Sequence, residues 1–263
     1  MLRRILAFAL AFAVAVCALS SCDLLGGKDA ATIIAEAENQ LALTDHTVNI
    51  SMTFTSSDED MRNALAALDN SKITLTQNGE FSQIDLELTF GEDYFKDSYV
   101  IAEGVIYHTT SSTIDGVSDG IKEKATLTET EKENAINNAG AGMILSYDDF
   151  DSVVVESSSN VNLITCKQIK SDSLDSLVDI FKSNFDLEAT EVDVSNVELV
   201  IRTVDGLYNG VYLACDYSVT VDGTTYDVRM QSVREYDVTT PVFIGTPLDA
   251  DDYIETTYTE MTK

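Results

Sequence analysis

Period-two alternation, sustained over whole segments, most limits how this chain can fold. In His46–Thr55, Val48, Ile50, Met52 and Phe54 share one parity, and Thr47, Asn49, Ser51 and Thr53 the other. Ile84, Leu86, Leu88 and Phe90 alternate with Asp85, Glu87 and Thr89, and Val211–Asp222 sets Val211, Leu213, Cys215, Tyr217, Val219 and Val221 on one side. Successive side chains of a strand point to opposite faces, so each segment predicts a strand with one dry face and one wet face. Such strands belong to antiparallel sheets. Asp222-Gly223 predicts a tight turn into a strand over Thr224–Tyr236. Asp205-Gly206 and Asn209-Gly210 bracket the preceding turn, between Val192–Val204 and Val211. Near Ser195-Asn196 the apolar parity slips from Val192 and Val194 to Val197, Leu199 and Ile201, which predicts a bulge.

Helical spacing is confined to four places. Asp29–Leu43 opens with a capping aspartate and aligns Ile33, Ala37 and Leu41. Ser57–Asp60 starts a short helix with Met61, Leu65 and Leu68 on one side. Thr128 and Glu131 form a capping box ahead of Ala135, Ile136, Ala139 and Met143. Asp172–Phe185 carries Leu174, Leu177, Val178, Phe181 and Phe185 as one stripe. Many strands with few helices predict an α+β fold around a large, mainly antiparallel sheet. Its default core is the apolar face of Val48–Phe54 packed on the helix over 172–185. The sharper expectation is a cavity, with Val48, Ile50, Met52, Phe54, Ile84, Leu86, Leu88 and Phe90 facing an apolar ligand.

The first 22 residues read differently. Arg3 and Arg4 precede an apolar run over Ile5–Leu19, too short for a comfortable membrane span and laid out like a secretory signal. Leu19-Ser20-Ser21-Cys22 resembles the bacterial lipobox, a branched apolar residue and two small residues ahead of cysteine. The resemblance implies a diacylglyceryl thioether on Cys22 and cleavage before it. Residues 1–21 are then a lipoprotein signal peptide that takes Cys17 with it, 22–28 a tether, and 29–263 a single domain. Two acyl chains hold a protein at a membrane stably, where one does so only marginally. The expected location is the extracytoplasmic side of a cell membrane.

Removing residues 1–21 removes Arg3 and Arg4 but no acid, leaving 14 basic and 45 acidic residues. So acidic a chain argues against nucleic acid as a partner, because that binding neutralises phosphates with Lys and Arg. It also holds the domain off anionic headgroups. Export permits a disulfide between Cys166 and Cys215. Both fall in expected strands without being placed opposite each other, so two buried thiols are expected.

An anchored start, an N-terminal helix, long meandering strands and intervening helices are similar in order to the LolA/LppX-type lipoprotein carriers, over about residues 29–255. That resemblance implies a curved sheet, a half-barrel, with helices packed on one face. It carries over no binding residue.

Signatures of catalysis are sparse. The two histidines, His46 and His108, fall in expected strands, and no nucleophile elbow, zinc-protease helix or C-x-x-C pair occurs. Asp148, Asp149 and Asp151, and Asp249, Asp251 and Asp252, lack the spacing of a calcium loop. The expectation is therefore a non-catalytic, lipid-anchored binding protein, without cofactor or metal, for a hydrophobic ligand or an envelope protein. The alternatives are an anchored hydrolase using carboxylates or a metal, and a structural or sensory accessory of a membrane complex.

Overall fold

A computed structural model describes residues 28–69, 71–79, 81–90, 92–132, 135, 145–185, 189–221 and 223–261. Leu19, Ser20, Ser21 and Cys22 lie outside the described residues, as do Ile136, Ala139 and Met143 and the side chains of Phe90, Phe181 and Phe185.

Helix α1 (Ala30–Leu41) starts where Asp29 accepts a hydrogen bond from the Thr32 amide at 2.8 Å. That satisfies a donor the first helical turn cannot pair internally. Strand β1 (His46–Ser56) leads straight into α2 (Glu59–Asp69), whose start is capped by Asp58 through the Met61 amide. A meander follows: β2 (Lys72–Asn78), β3 (Phe81–Phe90), β4 (Asp93–Ala102), β5 (Val105–Ile114) and β6 (Val117–Thr126). Thr128 and Glu131 then close the expected capping box, each side chain accepting from the other's amide. A second meander comprises β7 (Phe150–Ser158), β8 (Val161–Ile169), α3 (Ser171–Phe185), β9 (Ala189–Val204), β10 (Leu207–Val221) and β11 (Thr224–Asp237). The short β12 (Ile254–Glu255) and α4 (Tyr258–Met261) end the described chain.

All twelve strands form one open sheet in the order β12-β6-β5-β4-β3-β2-β1-β11-β10-β9-β8-β7. Every pairing is antiparallel except that of β12 with β6. The two meanders are joined edge to edge by β1 and β11, where Val48 faces Tyr236 and Phe54 faces Met230. Ten antiparallel steps separate β6 from β7, an even number, so these two strands run in the same direction.

The expected irregularities appear with one change. At Asn196 the backbone turns left-handed (φ 50°), and the β9–β10 register slips between Ala214 and Asp216. The bulge therefore sits where the apolar parity shifts. Asp205 and Gly206, both at positive φ, make the β9–β10 turn. Asn209-Gly210 is not part of that turn: β10 already starts at Leu207, and the register slips between Tyr208 and Gly210.

The main core joins Ile33 and Ala37 of α1, Met61 and Leu65 of α2 and Leu177 of α3 to Phe54, Ile164, Leu199, Ile201, Val211, Cys215, Tyr217 and Val219. The packing of β1 differs from the default expectation. It meets α2, while α3 lies against β9. Only Ser57 and Asp58 separate β1 from α2, so the chain folds back on itself and sets α2 against that strand. A second cluster gathers Ile101, Ile106, Ala125, Ala135 and Met261. Cys166 and Cys215 are free and fully buried, and burial pushes both thiols up to about 11.

Candidate ligand-binding face

Directly paired residues of neighbouring strands share a face, so the register traces one surface across the sheet. One cross-strand row runs Val155, Ile164, Ile201 and Val211 through β7, β8, β9 and β10. It continues as Arg234, Ile50, Ile73 and Leu86 through β11, β1, β2 and β3, then as Asp97, Thr110 and Ile121. A neighbouring row on the same face is Tyr236, Val48, Leu75, Ile84, Tyr99, His108 and Glu123. The candidate residues Val48, Ile50, Met52, Ile84 and Leu86 therefore lie on one surface, extended by Phe54 and Leu88 through strand alternation.

That surface divides into three parts. Over β8–β10 and at Phe54 it is closed core. In the middle, Val48 and Ile50 are buried, while Ile73, Leu75, Ile84, Leu86 and Leu88 are half-buried. Toward β4–β6 it carries a polar patch beside the second apolar cluster of Ile101, Ile106 and Ala125. His108 Nε2 lies 2.7 Å from Asp97 Oδ1, and its Nδ1 lies 3.8 Å from Glu123 Oε2. Burial, reinforced by the charge of Asp97, pushes the Tyr99 phenol up to about 12. The opposite face carries polar pairs: Ser98 donates to Asp85, Lys96 pairs with Asp85 and Glu87, and Thr109 meets the Tyr253 hydroxyl.

Ile73, Leu75, Asp97, Tyr99, Glu123 and Arg234 of this face were not anticipated. Arg234 had a legible signal. It falls in the inward parity of Val228, Met230, Ser232 and Tyr236, where an apolar residue belongs. The segments that became β4 and β6 carry polar residues at both parities, which hides their faces.

The other candidates serve local structure. His46 Nδ1 bonds to the Thr44 carbonyl. Asp149 accepts from the Ser146 amide and from the Ser173 hydroxyl, capping the turn before β7. Asp249 pairs with Lys122. Among the described residues no group of three or more His, Cys, Asp or Glu side chains is arranged to hold a metal ion. A separate open cavity of about 550 Å³ is lined by Ser56, Ser195, Asp216, Ser218, Asp227 and Arg229. Tyr217 and Val228 line it too, so its walls are mixed.

No family model matches the chain, and no curated protein does. Among solved structures the chain is similar to the ywiB protein from Bacillus subtilis, at 7% identity over 73% of this chain and 91% of that one, with a TM-score of 0.18. A likeness at that score carries no argument about fold or function.

Proposed function

We propose that this chain is a lipid-anchored, extracytoplasmic binding protein that holds a hydrophobic ligand against the inner face of its sheet. In this reading Cys22 is the attachment point, the sheet curves into a half-barrel like that of the LolA/LppX-type carriers, and the helices pack on its concave face. The observation that carries the reading is the middle of that face. Ile73, Leu75, Ile84, Leu86 and Leu88 form a contiguous apolar strip beside closed core, yet stay half-buried. Apolar surface left open in this way, flanked by a few polar groups, is the usual character of a ligand site.

Two experiments test it. Replacing Cys22 by alanine is expected to release the protein from the membrane fraction and to abolish processing; unchanged fractionation refutes the anchor. Native mass spectrometry of the purified full-length chain is expected to show a bound lipid, reduced in occupancy by Leu86→Gln. A ligand-free spectrum, with no uptake of added lipid, refutes the ligand.

The Asp97–His108–Glu123 cluster favours a second reading, the anchored hydrolase. Two carboxylates flanking one imidazole can relay a proton. Hydrolysis of a glycoside or peptide substrate that is lost in Asp97→Asn would establish it over the binding function.

A further inference from the structure

Arg234 is a cation in the wrong place for a protein surface. It is 7% exposed, and its Nη2 is buried without a hydrogen-bond partner. Its cross-strand neighbours are Val211 on β10 and Ile50 on β1, both apolar and buried. No ion pair among the described residues involves it, although the chain carries 45 carboxylate side chains. The polar neighbour that favours its charge is Tyr236, while burial opposes it. A guanidinium stays protonated even when buried, so the site has to find it an anion.

We propose that Arg234 receives the anionic head, a carboxylate or phosphate ester, of a long-chain amphiphile whose tail lies along Ile50, Ile73 and Leu86. The proposal rests on the hydrophobic-ligand reading above and specifies the class of ligand. Its geometry is that of one cross-strand row. Strand spacing of about 4.8 Å puts Leu86 on the order of 14 Å from Arg234, across an unbroken apolar stretch. The planar guanidinium fork matches both kinds of head group through paired N–H donors. Charge selects against the simpler occupant. A chain of net charge −29 repels small free anions, so an anion that reaches Arg234 has to be drawn in by an apolar tail.

The test compares matched probes on the full-length protein: a fluorescent polyene fatty acid, its uncharged methyl ester, dodecyl phosphate and inorganic phosphate. The wild type is expected to bind the fatty acid at least tenfold more tightly than the ester. Dodecyl phosphate should compete with it, and inorganic phosphate should not. In Arg234→Met, which keeps the side chain's length, the acid-to-ester ratio is expected to fall to about one, with ester binding retained. Equal wild-type affinity for acid and ester overturns the role of Arg234 and leaves the hydrophobic-ligand reading standing. Failure of the wild type to bind either probe overturns both. A preference that persists in Arg234→Met also overturns the proposal. If that variant does not fold, Arg234→Gln and the wild-type comparison decide. Dodecyl phosphate that fails to compete assigns the site to carboxylates alone, and competition by inorganic phosphate overturns the need for an apolar tail.

Discussion

The imidazole of His108 lies flat on the ring of Tyr99, with centroids 4.3 Å apart and planes within 1° of parallel. The two residues face each other across β4 and β5, so the stack follows from register and needs no loop to bring it about. It places a half-buried phenol beside the Asp97 carboxylate that also meets His108.

Burial of Tyr99 beside the Asp97 charge makes the protein sensitive to alkali. A phenol whose folded pKa is raised from 10.0 to about 12 favours folding fully below pH 10. That contribution is lost as pH rises toward 12, because the unfolded chain ionises first. Burial pushes Tyr208, Tyr217 and Tyr236 in the same direction. Tyrosinate absorbance and loss of circular dichroism are therefore expected to rise together above pH 10. Tyr99→Phe should lose a smaller fraction of its neutral-pH stability by pH 11 than the wild type.

Acid acts through the other sign. Asp237 accepts hydrogen bonds from the hydroxyls and amides of Thr240 and Thr239, which hold its carboxyl well below 3.8. A depressed folded pKa contributes stability above the unfolded value, and that stability is lost as pH falls through the folded one. Asp237→Ala should melt at a lower temperature than the wild type at pH 7. The gap should narrow as pH drops below 3.8. A constant gap down to pH 2 would contradict the account.

The thiols give a direct reading of burial. Cys166 and Cys215 are fully buried and raised to about 11, so neither is a thiolate at pH 8. A chromogenic disulfide reagent should leave both unmodified in the native protein and react with both in guanidinium chloride. Reaction of either in the native state would show that the core opens locally.

Two positions separate packing from backbone geometry. Leu199 is 0% exposed within the main core, so Leu199→Ala is expected to cost about 2–5 kcal/mol in denaturant unfolding. Asn196 sits at the bulge with φ 50°, its side-chain amide donating to Asp216 at 2.8 Å. Asn196→Val should cost about 1–2 kcal/mol, because a β-branched residue resists a left-handed backbone. Asn196→Gly should restore the backbone but not the hydrogen bond.

Much of the sheet was legible because burial on one side writes itself into the sequence every second residue. Val48–Phe54, Ile84–Leu88 and Val211–Val221 became strands with those residues on a shared face. The Asn196 bulge and the Asp29 and Thr128 caps were equally local, each fixed by residues within a turn or two. β4 and β6 were not legible. Where a face carries Asp97, Tyr99, Thr110, His108 and Glu123, inward no longer means apolar and the alternation fades.

What the sequence determined by itself is thus a set of strands, caps and turns, because neighbours along the chain set them. Only the tertiary structure decided that β1 pairs with β11, and this one long-range pairing creates the candidate site. It sets Arg234 beside Ile50 and merges the apolar faces of two meanders that end on opposite edges of the sheet. Local periodicity tells a residue which way to point. Which strand it then meets is settled by the joint burial of residues far apart in the chain, and no window of sequence contains that information.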